Sequence, residues 1–163
     1  MIFDWLDLSS YFSNNQIKAF FSYKSFPSQG LEGRRDFVNQ TGFDENTIII
    51  PKQIHSKNVV LQYKAGEING VDGVFTFNPD LVCSIQVADC MPIFFSHLTE
   101  NKFGLIHVGW RGLVDGIIYE SIRLLDNHGL NIDEFEIIIG PSIQSCCFEV
   151  KNDIIKNFEK EFV

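Results

Sequence analysis

The chain has 163 residues, a length that predicts one domain with enough material to bury a core without disulfide support. Hydrophobic residues make up 45% and charged residues 21%, an ordinary globular balance that excludes a disordered chain. Thirteen Lys and Arg against 21 Asp and Glu leave a net charge of −8, which excludes gripping nucleic acid or an anionic membrane through bulk charge, so any phosphate must be held by a local site.

No apolar run approaches the roughly 18 residues of a membrane span. The start, Met1-Ile2-Phe3-Asp4-Trp5, has neither the basic nor the apolar region of a secretory signal. Four cysteines do not make a disulfide scaffold, and the adjacent pair Cys146-Cys147 is badly placed to bridge itself. Free thiols and a cytoplasmic location are therefore expected. Sixteen Phe read as core.

In chain order, residues 18–23 predict a strand, residues 24–33 a loop carrying Pro27, Gly30 and Gly33, and residues 34–41 a weak helix. Residues 47–51, a β-branched run closed by proline, predict a strand, as do residues 58–63. Residues 72–77 and 81–88 read as two strands joined by a turn at Asn78-Pro79-Asp80. Residues 91–97 and 103–108 read as a second pair with Thr99-Glu100-Asn101 at the turn. Residues 112–127 predict one long helix: Leu113, Ile117, Leu124 and Leu125 share a stripe, Val114, Ile118 and Ile122 flank it, and Gly129 stops it. Residues 135–139 predict a buried strand running into Gly140-Pro141. Residues 151–161 predict a last amphipathic helix with Ile154, Ile155, Phe158 and Phe162 on its apolar side. No repeat or linker divides the chain, so residues 1–163 form one domain. The fold class is α+β, a layered α/β sandwich of mixed, largely antiparallel sheets flanked by helices.

Three segments place reactive side chains at strand ends, where rigid scaffolds carry function. They are Gln53-Ile54-His55-Ser56, Ala88-Asp89-Cys90-Met91-Pro92 and His107-Val108-Gly109-Trp110-Arg111-Gly112. Imidazole and thiolate are zinc ligands, and His55, Cys90 and His107 would leave a fourth position open, as in catalytic sites. The same residues admit a Cys90–His107 nucleophile–base pair, or a buried Cys90 beside unrelated histidines. Arg111, at the mouth of the predicted long helix, offers a fork for an anion, and Gly109 and Gly112 let the backbone approach a ligand; alternatively Arg111 pairs with a carboxylate. Trp110 could stack on a flat ligand or pack in the core. Asp72 and Asp89 could orient a metal-bound histidine or act as bases, although a turn hydrogen bond is the preferred reading for Asp72. Glu149 could reach the site as a proton shuttle. His97 and His128 read as solvent-edge histidines.

The order of Val71-Asp72-Gly73-Val74, Ala88-Asp89-Cys90-Met91-Pro92, His107-Val108-Gly109-Trp110-Arg111-Gly112, and Gly140-Pro141-Ser142-Ile143 through Cys147-Phe148-Glu149-Val150 resembles the laccase-domain family. The likeness runs from about Ala19 to about Phe158. The H-x-G-W-R-G stretch with A-D-C-x-P is highly specific. This family was long labelled multicopper polyphenol oxidase and is now regarded as purine nucleoside phosphorylases.

The resemblance implies zinc on His55, Cys90 and His107. It implies phosphorolysis of adenosine, inosine, guanosine and methylthioadenosine to the base and ribose 1-phosphate, together with adenosine deamination. Asp89, Arg111 and Glu149 would then be catalytic, and Lys24, Arg111 and Trp110 would bind substrate or phosphate. Partners would be small molecules, with no nucleic acid or membrane, on a monomer or homodimer. Three departures are visible. Ser22-Tyr23-Lys24 stands where the family has Ser-Thr-Arg, so the fork is lost and the charge kept. The glycine-rich loop shrinks to Gln29-Gly30-Leu31-Glu32-Gly33. The sequence stops at Val163, before the family's last strand-bearing segment, which predicts an open sheet edge. Copper-dependent phenol oxidation, a metal-free Cys–His hydrolase and an inactive binding domain are the rival readings; only four histidines and two methionines disfavour multicopper chemistry.

Overall fold

The computed structural model describes residues 4–27, 30–150 and 152–162, with side chains left undescribed at Asp153 and beyond Phe158. Met1–Phe3, Gln29, the first residue of the predicted final helix and the Phe162 side chain therefore lie outside the described residues. The elements are β1 (Trp5–Asp7), β2 (Phe20–Ser22), α1 (Gly30–Gln40), β3 (Ile48–Lys52), β4 (Val59–Leu61), β5 (Gly66–Asn69), β6 (Gly73–Thr76), β7 (Val82–Cys83), β8 (Met91–His97), β9 (Phe103–Val108), α2 (Trp110–Asp115), α3 (Ile117–Asn127), β10 (Phe135–Ile139) and α4 (Asn152–Phe162). They build a mixed α/β architecture. A five-stranded sheet runs in the order β10-β8-β9-β6-β4, with a three-stranded sheet β5-β3-β7 and a β1-β2 ribbon.

Strands β8 and β9 are apolar on both sides, as strands covered on two faces must be. Period-two alternation sorts their side chains into two layers. Ile93, Phe95, Ile106 and Val108 join Phe75 under Ile117 and Leu125 of α3. Phe94 and Leu105 face the other way, against Leu8, Phe12, Ile17 and Ala19 of the N-terminal segment. In β3, Ile49 packs on Val71, Val74 and Leu81, while Ile48 and Ile50 meet Val38 of α1. Each such fully buried side chain contributes about 1.5–3 kcal/mol relative to exposure. Gly104 is required by this packing: a Cβ there would lie 2.2 Å from the Phe75 ring.

Several expectations need correction. The helix α1 starts at Gly30, inside the predicted loop. Only Val82–Cys83 of residues 81–88 is strand, and it pairs parallel with β3 rather than folding back on β6. The Asn78-Pro79-Asp80 connection crosses between sheets, and alternation alone does not reveal that. The predicted long helix is two, broken at Gly116, whose φ of +95° places it in the left-handed region that side chains disfavour. His97 is buried, its Nδ1 accepting from the backbone N–H groups of Thr99 and Glu100, whereas His128 is exposed. Most Phe side chains are buried or half-buried, but Phe148 is exposed. In α4, Ile154 and Phe158 are half-buried and Ile155 is exposed.

Candidate metal centre

The site forms where three strands of the large sheet end together. In the antiparallel β8–β9 pair, Met91 lies opposite Val108 and Pro92 opposite His107. Continuing that register by one residue places Cys90 beside Gly109. In β6–β9, Gly73 lies opposite Ile106, so Asp72 falls beside His107, whose N–H donates to the Asp72 carbonyl at 2.7 Å. The β8–β9 hairpin and the β6–β9 pairing thus bring residues far apart in sequence to one sheet corner.

His55 arrives from the loop after β3 with φ +60°, the only non-glycine in the left-handed region among the described residues. That conformation costs on the order of 1–3 kcal/mol. It is held by one carboxylate. The buried Asp72 accepts the backbone N–H groups of Ile54 (3.2 Å), His55 (3.0 Å) and Ser56 (2.7 Å), as well as the Ser56 hydroxyl (2.7 Å). Its Oδ1 also lies 2.8 Å from Nδ1 of His107. Burial by itself would push the Asp72 carboxyl up. The bonds from His107, from the backbone and side chain of Ser56 and from the backbone of Ile54 outweigh it and hold the pKa at about 2. The preferred turn reading of Asp72 is therefore replaced by an orienting one: it is the anchor of both histidine-bearing segments.

The ligand atoms of His55, Cys90 and His107 all lie within 4.8 Å of one another. The two imidazole rings meet edge to face at 4.7 Å between centroids. With Nδ1 of His107 engaged by Asp72, Nε2 is its free donor, the arrangement that fixes a metal-ligating imidazole. Two imidazoles and a thiolate suit a metal held by bonds of about 2.0–2.3 Å, and the space between the three donors fits one ion. Cys90 is half-buried. Burial first, then the carboxylates of Asp89 and Asp72, push its thiol up, so its thiolate calls for a neighbouring cation.

Both glycines of the G-W-R-G stretch approach protein rather than ligand. A Cβ on Gly109 would lie 2.8 Å from His55 Cδ2 and 3.3 Å from Cys90 Sγ, and one on Gly112 would lie 2.7 Å from the Ser56 carbonyl oxygen. These contacts seat α2 against the His55 loop. Trp110 is half-buried at the start of α2, and the exposed Arg111 guanidinium lies over its ring at 4.7 Å. Arg111 heads this six-residue helix and not the long one expected. Asp89 is exposed, and its carbonyl accepts from Ile143 N–H at 2.9 Å. Lys24 and Asp89 line a cleft of about 780 Å³ between the N-terminal layer and the sheets. Glu149 is exposed, and among the described residues no hydrogen bond or ion pair joins it to the trio.

One clamp has no strong signal in the sequence. The Gln53 side chain donates to the Gln86 carbonyl (2.8 Å) and accepts the Gln86 N–H (2.7 Å), tying the His55 segment to the one that leads to Cys90. Arg34 braces it, donating to Gln53 Oε1 at 3.1 Å and to the Pro51 carbonyl at 3.2 Å. Its only hint was the position of Gln53 two residues before His55.

The chain belongs to the multi-copper polyphenol oxidoreductase laccase family, whose model matches residues 26–163. It is 30% identical over 143 residues to adenosine deaminase RL5 from an unknown prokaryotic organism, covering 80% of this chain and 53% of that protein. A purine nucleoside phosphorylase of Staphylococcus epidermidis is 26% identical over 133 residues, covering 76% and 49%. Among solved structures, the Neisseria meningitidis protein NMB0706 superposes with a TM-score of 0.76 at 18% identity, covering 98% of this chain and 72% of that one. The Bacillus licheniformis hypothetical protein YfiH gives 0.75 at 23% identity, covering 82% and 54%. The chain spans about half the length of the curated relatives it matches.

Proposed function

We propose that this chain carries the metal centre of a zinc-dependent purine nucleoside phosphorylase that also deaminates adenosine, acting in the cytoplasm as a monomer or homodimer. The observation that carries the reading is the meeting of His55, Cys90 and His107 within 4.8 Å around Asp72. The names of the relatives supply the substrate class. Among the described residues no helix is long and apolar enough to cross a membrane.

His55, Cys90 and His107 would hold the zinc, which supplies a Lewis acid with an open coordination position. Asp72 fixes the His107 tautomer and the His55 backbone. Arg111, exposed and stacked on Trp110, would bind phosphate, and Lys24, on the wall of the cleft that Asp89 also lines, would add a second positive charge. Trp110 would bound the purine on one side. Asp89 sits beside Cys90, and Glu149 stands further along the chain; these two would move the protons.

The test is twofold: metal content of purified protein, and incubation of the zinc-loaded chain with adenosine and phosphate. Adenine, ribose 1-phosphate and inosine are expected. A folded, zinc-loaded sample that yields none of them overturns the activity for this chain. Copper oxidation of phenols would instead show turnover tracking added copper.

The Asp72–His107 bond favours a second reading, in which Cys90, His107 and Asp72 form a nucleophile–base–orienter set without metal. The raised Cys90 thiol and the third ligand, His55, count against it. Metal-free protein whose Cys90 alkylates rapidly at neutral pH would restore it.

A further inference from the structure

The four cysteines fall into three settings. Cys83 is half-buried in β7 and Cys90 belongs to the trio, but Cys146 and Cys147 are both exposed. They sit in a turn held by N–H bonds from Cys147 and Phe148 to the Gln144 carbonyl, at 2.9 and 3.0 Å. The same segment is docked on the Cys90 loop through the Ile143–Asp89 bond. The two side chains point the same way, with sulfurs 3.3 Å apart in a shared S–H···S contact. That contact pushes the Cys147 thiol up, as expected of two sulfurs competing for protons.

Bridging these sulfurs would require closing 3.3 Å to about 2.05 Å across a single peptide unit. Holding one atom between them requires no such closure, because two bonds of about 2.3 Å from a common atom span a separation close to the one observed. Solvent reaches both thiols, so an incoming ligand needs no opening of the fold. We propose that Cys146 and Cys147 form a second, independent ligand site: a vicinal dithiol that captures one thiophilic atom at two points, the class to which trivalent arsenicals and soft d10 cations belong. This site owes nothing to the nucleoside chemistry and stands or falls separately from it.

Phenylarsine oxide is the probe. Its As=O bond breaks, two As–S bonds form, and the two thiol protons leave with the oxide as one water, with arsenic trivalent throughout. The full chain, reduced with a phosphine, is exposed to the probe in excess 2-mercaptoethanol, which displaces arsenic held by a single sulfur, and intact mass is measured. One adduct per wild-type chain is expected. It should vanish in both Cys146→Ser and Cys147→Ser and persist in Cys90→Ser. Iodoacetamide should alkylate both residues in the folded protein, confirming access. In the Cys90→Ser background one cadmium ion per chain should bind, and none after adding Cys147→Ser. An adduct that survives loss of either cysteine, one that depends on Cys90, or no adduct in folded wild-type protein would each overturn the proposal; arsenical capture without cadmium binding would overturn the extension to soft cations.

Discussion

The corner of the sheet and its rim obey different rules. At the corner, Cys90, His107 and Asp72 are neighbours because β8, β9 and β6 are hydrogen-bonded in a fixed register, and the Asp72 carboxylate that ties His107 to the His55 loop is fully buried. At the rim, Arg111 and Asp89 are exposed, and the stacking partner of Arg111 is its own neighbour Trp110. A ligand set must be held to fractions of an ångström, so it is anchored at strand ends: His107 within β9, Cys90 one residue before β8, and His55 on a loop pinned by Asp72. Groups that meet a changing substrate can sit on surfaces free to adjust.

The contrast breaks most sharply at the ligands. Cys90→Ala should reduce bound metal to a trace in protein that still unfolds cooperatively, measured by metal analysis beside circular dichroism. The next largest effect belongs to Asp72→Asn. Losing the charge that orients His107 should weaken metal binding about 10–100-fold in a chelator competition. The melting temperature of the metal-free protein should also drop, since three backbone N–H groups lose part of their acceptor. Gly109→Ala should follow: its added methyl presses on His55 and Cys90 at an overpacking cost of about 1–3 kcal/mol. That corresponds to a loss in metal affinity of roughly 5- to 150-fold. Gln53→Ala should act in the same direction but more weakly, loosening the tie between the two loops while leaving the core intact. Smallest at the metal is Arg111→Ala, which should leave metal content and melting temperature unchanged while abolishing phosphate-dependent turnover. Should Arg111→Ala instead strip the metal, the division between corner and rim is wrong.

The sequence exposed the ligands better than their support. Two histidines and a cysteine at strand ends are chemically conspicuous, and the alternation in residues 91–97 and 103–108 gives the β8–β9 pair directly. Asp72 was harder to read because a lone Asp before a glycine has the same appearance whether it serves its own turn or a histidine 35 positions away. Gln53 acts through the Gln86 backbone, and Arg34 through the Pro51 carbonyl and the Gln53 side chain, ties that leave no trace in the hydrophobic pattern. The strand β5, Gly-Glu-Ile-Asn, is largely exposed and so lacks the apolar rhythm that marks buried strands. Residues 84–88 show the converse: apolar alternation that does not continue β7, because beyond Ser84 the backbone groups of Gln86 are taken by the Gln53 side chain. Gly116 lies within a helical stripe that continues across it, so periodicity concealed the break.

The hairpin joining β8 to β9 carries a consequence for how this site can change over time. His107 faces its metal partners only while the residue count between the two strands is preserved. One residue inserted or removed in the 98–102 connection, if absorbed by sliding β9, would turn the imidazole to the opposite face of the sheet and present Ile106 or Val108 in its place. Loop length there is as much a determinant of metal binding as the identity of the ligands, so variation in that turn should come as substitution and not as insertion.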